Sequence, residues 1–135
     1  MPKWLVIPWD LDRTFGDLWR GSFDQANLPL LLGTKPRPGP TGWNRLEDRF
    51  LSEPILRTRF LNRLDELLQK IFTEEKLFPI LDQFESQIES DAARDREQWP
   101  GAPADIHAGV AEIKGYIAHR RAFLLRETAR LRRED

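Results

Sequence analysis

From Asn44 onward, apolar residues return every three or four positions, the spacing that gathers them on one face of a helix. Asn44 and Glu47 have capping-box spacing ahead of RLEDRFL, which predicts a short first helix. Ser52 is expected to cap a second, stronger helix beginning near Glu53–Pro54, where proline suits the first turn. Its predicted stripe is Leu56, Phe60, Leu64, Leu67 and Ile71. Thr73 is the expected cap of a third helix, with Glu74 and Glu75 placed to favour its dipole. Leu77, Leu81, Phe84 and Ile88 form its predicted buried face, and Pro79 sits deep enough to tighten or kink it. Residues 89–101 are polar apart from Trp99; they either extend this helix or form a connection, with Trp99 expected to plug the helix junction. A last, long helix is predicted from about Asp105 to Arg132, on Ile106, Val110, Ile113, Ile117, Leu124 and Leu131.

The N-terminal third has a different texture. KWLVIP at residues 3–8 is apolar and partly β-branched, which predicts a short strand closed by Pro8. A single strand leaves its backbone groups unpaired, so a partner strand is expected from another chain or an upstream segment. Residues 15–43 are loop-like, rich in glycine and ending in KPRPGPTGW. Within them, Leu28–Leu32 is either a short element pinning the loop to the core or an exposed docking patch.

Composition narrows the chemistry. Across 135 residues, 21 Lys and Arg nearly balance 22 Asp and Glu, for a net charge of −1. A whole-chain basic field for nucleic acid is therefore excluded. Without cysteine, disulfides, thiolate metal sites and thiol nucleophiles are excluded too. No apolar run approaches the ~18 residues a membrane span needs. The apolar part of MPKWLVIPWD is too short for a secretory signal.

The candidate chemistry lies in IPWDLDRTFGD, residues 7–17. In extended backbone, residues two apart point to the same side, so Asp10 and Asp12 can present two carboxylates to one site. Their mutual repulsion raises one pKa unless a cation lies between them. Mg²⁺ suits such a site, because it takes a few carboxylates together with phosphate oxygens and water. The alternative is a plain turn, in which aspartates bond nearby backbone amides. Other polar residues read structurally. Arg120 falls on the apolar stripe of the last helix, so an ion pair with an acid from another helix is expected. His107 and His119 lie off the spacing of a helical metal pair, and Asp91 with Asp95 reads as a solvated face.

The pattern K-W-x-x-I-P-W-D-L-D-R-T-F-G, with the Pro-Gly loop and N-R-L after it, resembles the C-terminal part of CotH-type proteins. These are the spore-coat CotH kinase family, atypical protein kinases. The resemblance continues through LSEPILRTRFLNRLDELL, FTEEKL and DREQW to EIKGYIAHRRAFL, nearly the whole chain. It implies ATP-dependent phosphoryl transfer to protein Ser or Thr with Mg²⁺. It places the part of the D-F-G aspartate of ordinary kinases on Asp10, with Asp12 as a supporting ligand. Trp4 would pack on the adenine; its alternative role is core packing. The phosphate-covering loop, the lysine and the catalytic acid of a kinase precede the metal aspartate. The resemblance therefore implies a missing N-terminal lobe or another chain as partner, and an isolated chain that is inactive.

The expected fold is mainly α, three to four helices with a short N-terminal β element, like part of the C-terminal lobe of an atypical protein kinase. One unit of 1–135 is expected, with strand and metal-loop motif at 1–17, a Pro/Gly-rich loop at 18–43 and helices at 44–135. Two functions are carried forward. One is a kinase segment bearing a Mg-ATP aspartate motif; the other is a non-catalytic helical interaction module.

Overall fold

The computed structural model describes residues 15, 25–35, 37, 39, 42–100 and 105–133. The predicted strand at residues 3–8 lies outside them. The described fold is mainly helical: a 3₁₀ turn at Gln25–Asn27, then α1 (Arg45–Ser52), α2 (Pro54–Lys70), α3 (Glu74–Gln98) and α4 (Ile106–Arg133). None of these helices is long and apolar enough to cross a membrane.

Local chemistry sets most of the boundaries. The Asn44 side chain accepts the Glu47 amide at 3.1 Å and starts α1. The Thr73 hydroxyl accepts the Lys76 amide at 3.3 Å and starts α3. Pro54 occupies the first turn of α2, where its missing N–H costs nothing. Ser52 departs from expectation. It is the last residue of α1, and its hydroxyl donates back to the Arg49 carbonyl, so Glu53 caps α2 without a side-chain bond. The polar segment after Ile88 extends α3 to Gln98, and Pro79 is accommodated inside an unbroken helix.

The core is the seam between α2 and α4. Leu61, Leu68, Ile117 and Leu131 are each 1% exposed, and Leu124 is buried with them. The buried positions recur at intervals of seven on both helices, the repeat of a coiled-coil-like seam. Arg57 near the start of α2 bonds the Leu131 carbonyl at 2.7 Å, and Arg121 bonds the Leu68 carbonyl at 3.0 Å. The two helices are therefore antiparallel. The predicted α2 stripe was rotated from this seam: Leu56, Phe60, Leu64 and Leu67 are half-buried, and Ile71 is exposed.

α3 runs antiparallel to the N-terminal half of α4. Lys114 pairs with Asp82, and His107 Nδ1 lies 2.6 Å from Glu85 Oε1. No residue of α3 is fully buried. Phe84 and Ile88, expected on its buried face, are 56% and 51% exposed. The reason is geometric: α3 meets a single neighbouring helix, α4, so one narrow edge suffices. Trp99, expected to plug the junction, caps the C-terminus of α3 through its backbone and leaves its indole exposed.

The described residues of the Pro/Gly loop hydrogen-bond to one another and to the start of α1. The Gly33 amide donates to the Arg37 carbonyl at 2.8 Å, and the Gly33 carbonyl accepts from Asn44 at 2.7 Å. Gly39 and Gly42 exchange a reciprocal pair of backbone bonds. Gly33 has φ +97°, a conformation side chains rarely adopt. The Lys35 amide also donates to Asp48 on α1 at 3.1 Å.

Candidate functional site

Asp10, Asp12 and Trp4, the expected metal ligands and adenine platform, lie outside the described residues. The described member of the WDLDRTFG motif is Phe15, five residues after Asp10. Its ring meets Tyr116 on α4 edge-on, with centroids 6.3 Å apart and planes at 87°. That geometry sets the positive edge of one ring against the negative face of the other.

One turn beyond Tyr116 on the same face stands Arg120. Its Nη1 donates to the carbonyls of Ala26 at 3.1 Å and Leu28 at 2.5 Å. The guanidinium lies over the Phe123 ring, 5.3 Å from its centroid. An ion pair with an acid from another helix was expected; backbone carbonyls of the N-terminal segment hold Arg120 instead. Those carbonyls fall where the 3₁₀ turn ends, so no helical N–H takes up both of their lone pairs. Burial pulls the guanidinium pKa below its usual value, with Tyr116 acting in the opposite direction.

Two turns further on, Glu127 is buried and receives two bonds from Arg130, at 2.9 and 2.8 Å. Arg37 of the Pro/Gly loop approaches it to 3.6 Å. Arg130, above all, holds the Glu127 carboxyl below its ordinary pKa, against the opposing effect of burial.

Tyr116, Arg120 and Glu127 thus form one face of α4, at steps of four and seven. It grips the N-terminal third at three points: the acidic motif through Phe15, the 3₁₀ turn through Ala26 and Leu28, and the Pro/Gly loop through Arg37. Leu28 and Leu30–Leu32 are half-buried, so this stretch serves as the pinning element. Neither Tyr116 nor Glu127 stood out in the sequence. The signal for Tyr116 was present, since it precedes Arg120 by one helical turn.

An apolar cleft of about 360 Å³ lies beneath this grip, between α2 and α4. Leu64, Leu67, Ile71 and Phe72 form one wall, and Phe15, Tyr116 and Arg120 complete it. Elsewhere, His107 sits between Glu85 and Glu89, the latter 3.5 Å from its Nε2. No group of three or more His, Asp or Glu residues suited to a metal occurs among the described residues.

The described residues form a helical unit whose last helix holds Phe15, the described residue of the acidic motif. A family model described as CotH kinase protein matches residues 1–124, so the chain belongs to the CotH kinase family. The match takes in the acidic motif together with Tyr116 and Arg120. No curated protein and no solved structure matches it.

Proposed function

We propose that the chain contributes the metal-binding edge of a nucleotide site for ATP-dependent phosphoryl transfer to protein Ser or Thr. The observation that carries this reading is the family match over residues 1–124, which includes WDLDRTFG. Asp10 is the leading metal ligand and Asp12 its support. Two carboxylates beside phosphate oxygens and water are a donor set that fits Mg²⁺. When bound, the ion would neutralise charge on the transferring phosphates. Trp4 offers an apolar face on which adenine can stack. In this reading an N-terminal lobe or another chain supplies the phosphate-covering loop, lysine and catalytic acid and so completes the nucleotide site, and the present chain alone does not turn nucleotide over. A place in the spore coat belongs to the same proposal.

α4 supports this reading mechanically. Phe15 follows the aspartates closely in the chain and is held by Tyr116, while Arg120 fastens the segment beyond. Catalytic positions tolerate little displacement, so an acidic loop benefits from anchorage on a rigid helix.

Equilibrium binding of ATP, with Mg²⁺ and with chelator, tests the proposal on the chain alone and mixed with a candidate partner lobe. Mg²⁺-dependent binding that disappears in Asp10→Ala, with unchanged circular dichroism, is expected. Absence of binding in every combination would favour the second reading, a non-catalytic helical interaction module. One observation favours that module: Ile80, Phe84 and Ile88, one turn apart on α3, are 46%, 56% and 51% exposed.

A further inference from the structure

We propose that the cleft between α2 and α4 is a binding site for a small amphipathic monocarboxylate, an alkyl or aryl acid with its chain in the cleft and its carboxylate on Arg120. Three observations lead there. The walls are hydrocarbon: Leu64, Leu67, Leu68, Ile71, Phe72 and Leu124 supply most of the lining. Such a lining, with few polar groups, is typical of small-molecule sites, and about 360 Å³ is within their range. At ~30 Å³ per water-sized group, the space admits about a dozen heavy atoms, as in decanoate.

The second observation is charge. Arg120 is a half-buried cation in this wall, and it donates hydrogen bonds to the neutral carbonyls of Ala26 and Leu28. Among the described residues no carboxylate forms an ion pair with it. Both of those bonds use Nη1, which leaves Nε and Nη2 as the edge that grips a carboxylate in a two-pronged fashion. A desolvated cation without a counter-charge is costly, and a bound carboxylate removes that cost. A wholly apolar guest would leave the charge as it stands. A phosphate or a free metal complex would waste the hydrocarbon walls.

The third observation is location. Phe15 and Tyr116 line the same cleft, so a guest there touches the anchorage of the acidic motif. None of the residues lining the cleft is among those proposed to hold nucleotide or metal, and its occupancy is measured without nucleotide.

The experiment is calorimetric titration of the full chain with decanoate and with decanol, both below the micellar range, near neutral pH. Tyr116 is the sole tyrosine of the chain, so its ring resonances give a second, local readout. Decanoate is expected to bind at least about tenfold more tightly than decanol, the worth of one charge-assisted contact, and to shift the Tyr116 ring signals. Arg120→Gln should abolish that preference while leaving decanol binding in place. Leu67→Trp, a half-exposed position that fills the cleft, should weaken decanoate about tenfold or more without lowering Tm; it carries the test should Arg120→Gln fail to fold. Absence of decanoate binding, equal affinity for acid and alcohol, or undiminished binding in Leu67→Trp would each overturn the proposal.

Discussion

Arg120 shows how a single residue changes meaning between sequence and structure. A cation on an apolar stripe predicted a partner carboxylate, because a buried charge must be compensated. Two carbonyl dipoles and an aromatic face supply part of that compensation, with no counter-charge among the described residues. Arg120→Leu should therefore lower stability by about 2–4 kcal/mol, the loss of two charged hydrogen bonds to carbonyls left partly buried. Chemical denaturation measures this, and a midpoint equal to wild type would show the bonds to be dispensable.

Glu127 supplies the pH-dependent counterpart. Its folded pKa is depressed, first by the Arg130 hydrogen bonds. Its stabilising contribution is therefore complete above the unfolded carboxylate value, about 4.3, and fades as pH falls through the lower folded value. Glu127→Gln should flatten the acid limb of a Tm-against-pH curve below about pH 4.5, the unshifted carboxylate range. Identical acid limbs in mutant and wild type would remove Glu127 from the account.

At the scale of elements, the Pro/Gly loop and the α3–α4 pair depend on a few backbone and charge contacts. Gly33 stands at φ +97°, and a Cβ there would lie 3.2 Å from Glu47 Oε2. The oxygen is the end of a flexible side chain and can move, but the backbone strain remains. Gly33→Ala should cost about 1–2 kcal/mol, the usual penalty for a left-handed L residue. Urea unfolding monitored at the tryptophans gives the number.

The far end of the α3–α4 pair turns on His107. Its pKa is raised, chiefly by the hydrogen bond with Glu85, with burial opposing and Asp105 and Glu89 adding to the rise. For a raised histidine the stabilisation is full below the unfolded value, about 6.5, and disappears as pH rises through the higher folded value. The imidazole is exposed, so the readout is its titration rather than global stability. A ¹H–¹⁵N titration should place His107 above a free histidine, and Glu85→Gln should bring it down. A His107 midpoint unmoved by that substitution would mean that Glu85 is not the principal cause.

For the molecule as a whole, stability is concentrated in the α2–α4 seam. Leu61→Ala or Ile117→Ala should each cost about 2–5 kcal/mol, the range for deleting a fully buried aliphatic side chain. The corresponding loss at Phe84 on α3, an exposed position, should stay within about 0.5 kcal/mol. Hydrogen exchange provides the map: amides of α2 and the second half of α4 should be slowest, and residues 90–98 of α3, past the charged contact of Glu89 with His107 and almost wholly exposed, among the fastest.

Several features of this chain were legible from residues alone, because they depend on neighbours within one or two turns. The caps at Asn44 and Thr73, the proline start of α2, the extent of α4 and the helical class all arise from local hydrogen bonding and periodicity. The motif WDLDRTFG and its family are likewise written in order along the chain. Which side of α2 faces α4 was not legible, since Leu61 and Leu68 compete with an equally apolar stripe one position away. Nor was the exposure of Phe84, Ile88 and Trp99, which depends on how many elements surround α3 rather than on its own pattern. The partners of Arg120 and Glu127 lie 92 and 90 residues away at Leu28 and Arg37, and only the packed chain brings them together. Sequence by itself determined the local elements and the family; tertiary structure decided which faces are buried and which charges meet, because burial and long-range pairing belong to neighbours that no local pattern can name.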